Sequence, residues 1–415
     1  ENSPTLYRSP KLRPGLQGYR IKIKQEAYSL PKRKGVAMNE QPFSSLEGCF
    51  GDLPDPRVQG RCDHKLIDIV LIAVCAVLCG AESWSEVEEF GQAKAAWLEQ
   101  YLELPAGIPS HDTFSRVFRL LDAAAFQRRF MTWVEQHFRQ PRGQVIAVDG
   151  KTARGSHDRF RGQEAIHLVS AWASETGVLL GQRKVDDKSN EITAVPELLS
   201  LLFIKGCIVT VGALNCQKGI ARLIIEREAD YVFALKANHP QLHQEVIDWF
   251  AWARQREFRD VRYDFHQTVN KAHGRLEIRR CWAIHDPLAL ESMGHYDGWS
   301  GLRTIVMVER ERRISDKVQV ERVYYLSSLP AHAKRILAAT RAHWSVENTF
   351  HWSMDVIFGE DASRVRLDEA PENFAVIRHI AMNLLKRHPS TQSLKRKRFR
   401  AALDDTFLLE LLTPI

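Results

Sequence analysis

"CIVTVGALNCQKGIARLIIEREADYVFALK" (207–236) reads as strand, helix, strand. The run Ile208–Val211 is apolar and rich in β-branched residues, which suits a short buried strand. Gly212 and the polar residues after it make a turn. Residues 217–229 carry a helical pattern, and residues 231–236 return to a short apolar run. Two such strands joined by one helix lie parallel, because a parallel pair needs a crossover.

The same layout occurs upstream. "VIAVDGKT" (145–152) is an apolar run that ends in a carboxylate, Asp149. Residues 165–174 and 177–185 read as a hairpin around Glu175-Thr176-Gly177, and residues 191–202 as a helix. From Val145 onward the order is three strands, helix, strand, helix, strand. An antiparallel meander followed by parallel crossovers predicts an α/β fold with a ribonuclease-H-like core. A further helix is expected at 240–254.

Around this core the pattern changes. Residues 38–140 read as helical, with the apolar stretch Ile69–Cys79 as a buried helix and residues 83–102 as one amphipathic helix. "GIPSHDTFSRVF" (107–118) gives a turn and then a helix, with Ser110 or Asp112 as the N-cap. Helix, turn, helix with Arg116 and Arg119 suits a DNA-binding domain, although helical arrays are common. The first part of the core spans 143–257. Residues 258–330 are β-rich and read as an inserted β subdomain with strands at 276–284, 302–310 and 320–328. Residues 331–390 return to core helices, and 391–415 form a basic C-terminal segment.

The 415 residues are 44% hydrophobic and 26% charged, as in soluble globular proteins. The longest apolar run is too short for a membrane span. The seven cysteines include no C-x-x-C, which argues against a disulfide scaffold or zinc ribbon and suits a reducing cytoplasm. The formal charge of +7 is local. Residues 1–37 hold nine Lys/Arg and two Asp/Glu, and so carry all of it. This tail reads either as a disordered phosphate-binding arm or as translated sequence ahead of a start at Met38. "LKRKRFR" (394–400), which includes Lys395 and Arg396, is either a phosphate grip or a solvated helix end.

Asp149 at a strand tip suits a metal ligand, and equally a turn. Trp344, Glu347, His351, Met354 and Phe358 follow a 3-4-3-4 spacing that predicts one buried helix face. A buried Glu is costly unless paired or metal-bound, and Arg341 or His351 could pair it. Two parallel strands ending in carboxylates, plus a Glu from a helix, would hold two cations about 3.5–4 Å apart for phosphodiester displacement. Gly212 stands at the second of these places and has no side chain to offer.

The stretches "DHKLIDIVLIAVCAVLCGAESWSEVEEFG" (63–91), "GIPSHDTFSRVF", "VIAVDGKTARGS" (145–156), "DKSNEITAVPELL" (187–199), "CQKGIARLIIEREADYVFALKANHP" (216–240) and "HWSVENTFHWSMDVIFGEDASRVR" (343–366) together resemble the DDE transposases of bacterial insertion sequences, H-repeat-associated branch. The resemblance runs from about Met38 to the C-terminus. It implies Mg2+-dependent (or Mn2+-dependent) DNA cleavage and strand transfer at the terminal repeats of an insertion sequence. It also implies double-stranded DNA as partner, a homodimer when bound to DNA, and a bacterial cytoplasm, associated with the nucleoid. Asp149 matches the first catalytic and metal-binding acid and Glu347 the last. Gly212 stands where the second Asp is expected, so catalysis should be impaired, and losing such a group costs on the order of 100–1000-fold. Thr340, His343 and Met354 occupy places where some related transposases carry Tyr, Arg and Lys.

Asp186, Asp187 and Glu191 are the acids available as substitutes. Lys151, Arg154, Lys188 and Lys218 are candidate phosphate contacts, with turn charges and helix capping as the plain alternative. Trp344 and Trp352 are read as core residues rather than as platforms for a flipped base. Two further readings stay open: a non-catalytic DNA-binding remnant or domesticated protein, and a metal-dependent nuclease without strand transfer.

Overall fold

The computed structural model describes residues 41–414 apart from 59, 61, 139–141, 159, 160, 163, 187, 188, 273 and 316. The basic tail, Asp187 and Lys188 therefore lie outside the described residues. One mixed sheet organises the chain. Its strands are β1 (Val145–Thr152), β2 (His167–Ala173), β3 (Val178–Lys184), β4 (Ile208–Val211), β5 (Asp230–Leu235), β6 (Tyr263–Ala272), β7 (Arg275–Ile284), β8 (Thr304–Ile314) and β9 (Lys317–Ser327). They lie in the order β3-β2-β1-β4-β5-β9-β8-β7-β6.

The first five strands follow the expected order. β1, β2 and β3 form an antiparallel meander, and β4 and β5 join β1 in parallel. The central strands are buried on both faces, as their unbroken apolar runs require. The helices Glu191–Leu201 and Lys218–Glu226 make the crossovers. Asn190 caps the first by accepting from the Ile192 N–H at 3.0 Å.

The β-rich stretch departs from expectation in two ways. It holds four strands rather than three, because β6 precedes β7. It also continues the same sheet, since β9 pairs antiparallel with β5 from Val232↔Ser327 to Leu235↔Tyr324. The sequence "YDFHQTVNKA" of β6 is polar, mostly solvent-facing and at the sheet edge, so it carries little apolar alternation.

Packing is continuous across residue 140. The helices before β1 (Leu66–Cys79, Trp84–Ala93, His111–Leu120, Ala123–His137) share one core with Ala370–Arg387 and the two helices after it. Trp84 stacks on Phe118 at 4.8 Å and meets the edge of Phe374 at the same distance. Such pairs add roughly 0.5–1.5 kcal/mol each beyond buried area. Leu66–Cys79 is buried nearly all round and stops at Gly80, whose φ of 122° suits glycine. The amphipathic stretch 83–102 breaks at Lys94 into two helices. No single helix among the described residues is long and apolar enough to cross a membrane.

Candidate active site

β1 and β4 run parallel with Val148 beside Val211, so extending the register by one puts Gly212 beside Asp149. Gly212 has φ −65° and ψ 169°, an ordinary extended conformation. A Cβ added there would meet nothing within 4 Å. Neither the backbone nor the space therefore requires glycine. A side chain at 212 would leave the sheet on the same side as that of Asp149.

Glu347 reaches this strand tip from a segment that the sequence pattern misjudged. The helix Ala333–His343 ends at Trp344, and Val346–His351 forms a π-type turn before Trp352–Val356 resumes the α-helix. An i→i+5 turn inserts a residue into the helical ladder and rotates the faces on either side of it. The predicted 3-4-3-4 face therefore holds only in part: His351, Met354 and Phe358 are buried, but its first two members are not. Val346, Phe350, Met354 and Phe358 are buried, whereas Glu347, Trp344 and Trp352 are exposed. The core reading of the two tryptophans is thus corrected, and Glu347 is not a buried acid in need of a partner.

The electrostatics tie the acids together. The Asp149 carboxyl is pushed up to about 7 by burial first, then by the negative charges of Glu347 and Glu191. Its nearest basic group is His351, with Nδ1 3.8 Å from Oδ2, and burial lowers that imidazole to about 4. Glu191 is fixed by two donors, His167 Nε2 at 2.8 Å and Asn215 Nδ2 at 2.7 Å. These hydrogen bonds, the His167 bond foremost, hold its carboxyl below the usual range. Its carboxylate sits where a Gly150 side chain would project. Successive strand residues face opposite ways, so Glu191 approaches from the face opposite Asp149. Asp186 lies just past β3 and is exposed.

Lys151 is the main departure among the basic candidates. Its Nζ contacts Glu360 at 2.5 Å, Asp355 at 2.6 Å and Asp361 at 3.5 Å. Burial opposes its charge, but Glu360 and Asp355 outweigh that and raise its pKa. Its ammonium is neutralised inside the fold rather than turned toward a phosphate. Arg154 is 83% exposed and only 3.8 Å from Asp361. Lys218 donates to the Asp297 carbonyl beside Arg222 and Trp299. Arg116 is exposed, whereas Arg119 pairs with Asp368 at 2.7 Å. Lys395 and Arg396 face solvent. Their neighbours Lys397 and Arg398 are buried and donate to carbonyls, Lys397 to Leu385 and Arg398 to Val77.

Hard carboxylate oxygens are the right donor type for Mg2+. Their number falls short: no group of three or more His, Cys, Asp or Glu among the described residues converges to hold a metal ion. The residues present do not fit a two-cation site, because position 212 contributes no oxygen.

Asp149 at the tip of β1 and Glu347 in the π-type turn thus come within electrostatic reach of each other. The chain belongs to the DDE transposase family, in its H-repeat-associated branch: the transposase DDE domain matches residues 140–384 and its associated domain residues 48–134. It is 40% identical over 374 residues to "Putative transposase YncI" of Escherichia coli O157:H7, covering 89% of this chain and 95% of that one. It is 38% identical over 365 residues to "H repeat-associated putative transposase YhhI" of Escherichia coli K12, covering 87% and 95%. Among solved structures, a piggyBac transposase synaptic complex with hairpin DNA overlaps 89% of this chain and 79% of that chain, with a TM-score of 0.39 and 11% identity, a likeness too loose to assign a fold.

Proposed function

We propose that this transposase-family chain binds the double-stranded ends of an insertion sequence, and that its metal-dependent cleavage and strand transfer are disabled at Gly212. The observation that carries this reading is the empty space beside Asp149 where a second acid would sit. Asp149 and Glu347 are the remaining acids for a divalent cation. With one of three carboxylates gone, affinity for Mg2+ or Mn2+ falls, and so does the fixed charge available to a transition state. Glu191 is no substitute, since it comes from the other face and is held by His167 and Asn215.

The strand order β3-β2-β1-β4-β5 supports a ribonuclease-H-like core, with β6–β9 inserted between β5 and the helix Ala333–His343. Among the basic candidates picked from the sequence, Arg116, Arg154, Lys395 and Arg396 are the exposed ones that remain available to phosphates. A protein of this kind works on DNA as a homodimer in the bacterial cytoplasm, associated with the nucleoid.

The test is cleavage of DNA carrying the element's own ends in Mg2+ or Mn2+, comparing the chain, Gly212→Asp, and Asp149→Ala as blank. Cleavage by the Gly212→Asp variant alone is the expected result. Equal cleavage by the unmodified chain would show that position 212 is not the gap.

A further inference from the structure

A second place in the molecule has an unbalanced charge. β7, β8 and the helix Ala333–His343 enclose an open cavity of about 500 Å3. Arg275 and Arg279 enter it from β7, Arg310 and Arg312 from β8, and Arg341 from the helix. Glu277 is its only lining acid among the described residues. It pairs with Arg275 at 3.0 Å and Arg279 at 2.5 Å, and Glu321 on β9 lies 3.8 Å from Arg310, so two carboxylates meet five guanidiniums. Arg312 lies across from Glu277, a carboxylate it shares with Arg279 and Arg275, and Arg341 enters from the helix.

The register sharpens the point. Arg279 lies directly opposite Arg310 on neighbouring antiparallel strands. Like charges in that position oppose pairing. The other face of the same strands is built differently. There Arg280 lies opposite Glu309, which lies opposite Arg322, with contacts at 3.0 and 2.9 Å. The cavity face has opposed charges too, Glu277 across from Arg312 and Glu321 across from Arg310, but arginines outnumber carboxylates there and surround a hollow.

The cavity also adjoins the acid site. Asn348, the residue after Glu347, lines it. So does Trp344, whose ring lies under the Arg310 guanidinium at 5.3 Å and is 42% exposed. Planar guanidiniums bind phosphate through paired N–H donors, and an aromatic face accepts a base beside them.

We infer that this cavity holds the phosphodiester backbone of one DNA strand as it passes the Asp149–Glu347 site. At about 500 Å3 it is a pocket of small-ligand size, which suits a nucleotide or two rather than the width of a duplex. The inference rests on the DNA-binding reading above. It adds a location, a ligand chemistry and a preference for an unpaired strand.

The experiment measures binding of the full chain, in EDTA so that cleavage plays no part. The probes are a 30-nucleotide single strand and a duplex of the same sequence. Variants are Arg312→Gln/Arg341→Gln, the charge-preserving Arg312→Lys/Arg341→Lys, and Arg259→Gln, which lies on an exposed loop. Melting curves establish that each variant is folded.

For the single strand, log affinity falls with log salt by about 0.7 per phosphate contact. The double Gln variant is expected to lower that slope by about 1.4, with a smaller change on the duplex. The double Lys variant and Arg259→Gln should keep the parental slope. An unchanged slope in a folded double Gln variant, while the parent binds DNA, overturns the cavity and leaves the DNA-binding reading intact. Equal loss on single strand and duplex overturns the single-strand preference. A parent that binds neither probe at low salt overturns both readings.

Discussion

Replacing Gly212 by Asp should destabilise the metal-free protein and make it far more responsive to Mg2+. Neighbouring strands lie about 4.8 Å apart, so the new carboxylate would sit about 5 Å from that of Asp149. At an effective dielectric of about 20, two charges at that distance repel by about 3 kcal/mol. No steric cost offsets or adds to this, because the added Cβ meets nothing within 4 Å. Replacing a glycine in an ordinary extended conformation returns about 0.4–1 kcal/mol through the unfolded chain. The net cost at pH 8 in EDTA is therefore about 2 kcal/mol. With roughly 2.1 cal/mol/K of unfolding entropy per residue over an ordered body of about 375 residues, that lowers Tm by about 2–3 °C. Mg2+ at 100 times its dissociation constant contributes about 2.7 kcal/mol, enough to reverse the loss. The assay is thermal melting of both proteins in EDTA and across a Mg2+ titration. Equal Tm values in EDTA, with equal responses to Mg2+, would refute the placement of position 212 beside Asp149.

Three other outcomes follow from the same site. The pKa of Asp149 is raised from 3.8 to about 7, so the native state keeps a proton that the unfolded chain has released. Stability is therefore undiminished below about pH 4 and falls as pH rises toward 7, by on the order of 4 kcal/mol at about 1.4 kcal/mol per unit. Asp149→Asn should remove that fall, and urea unfolding at pH 5 and pH 8 should show its advantage growing with pH. Lys151→Met leaves Glu360 buried without its cation and should cost about 3–5 kcal/mol in denaturant unfolding, whereas loss of a solvated turn charge would cost almost nothing. Gly150→Ala puts a methyl group against the Glu191 carboxylate and 2.6 Å from His167 Nε2, with an expected cost of about 1–3 kcal/mol by the same measurement.

The elements legible in the sequence are those written in local pattern. β4, the helix after it and β5 each follow from a short apolar run, a turn or a helical period. The hairpin between β2 and β3 turns at Gly177, whose φ of 68° favours glycine. Asp149 and Gly212 can be set side by side from two matching apolar runs, whereas the spacing singles out Glu347 as a buried helical acid and it is exposed. The less legible features depend on partners far along the chain. Lys151 looks like a phosphate contact until Glu360, 209 residues later, closes on it. Lys397 and Arg398 look like an exposed basic run, yet they hydrogen-bond carbonyls of other segments. The π-type turn at 346–351 leaves no periodic trace, and it exposes Trp344 and Glu347 while His351, Met354 and Phe358 of the same predicted face stay buried.

The pairing of β5 with β9 sets the order in which a growing chain can finish its sheet. Leu235 is synthesised about 90 residues before its partner Tyr324. At about 5–20 residues per second, the outer edge of β5 waits roughly 5–20 s on the ribosome before β9 exists to cover it. During that interval an apolar strand with unpaired backbone groups is open to any other nascent edge. The meander β6–β9 is thus the segment on which safe maturation depends, and a chain halted before Ser327 would carry an assembled but uncapped half-sheet.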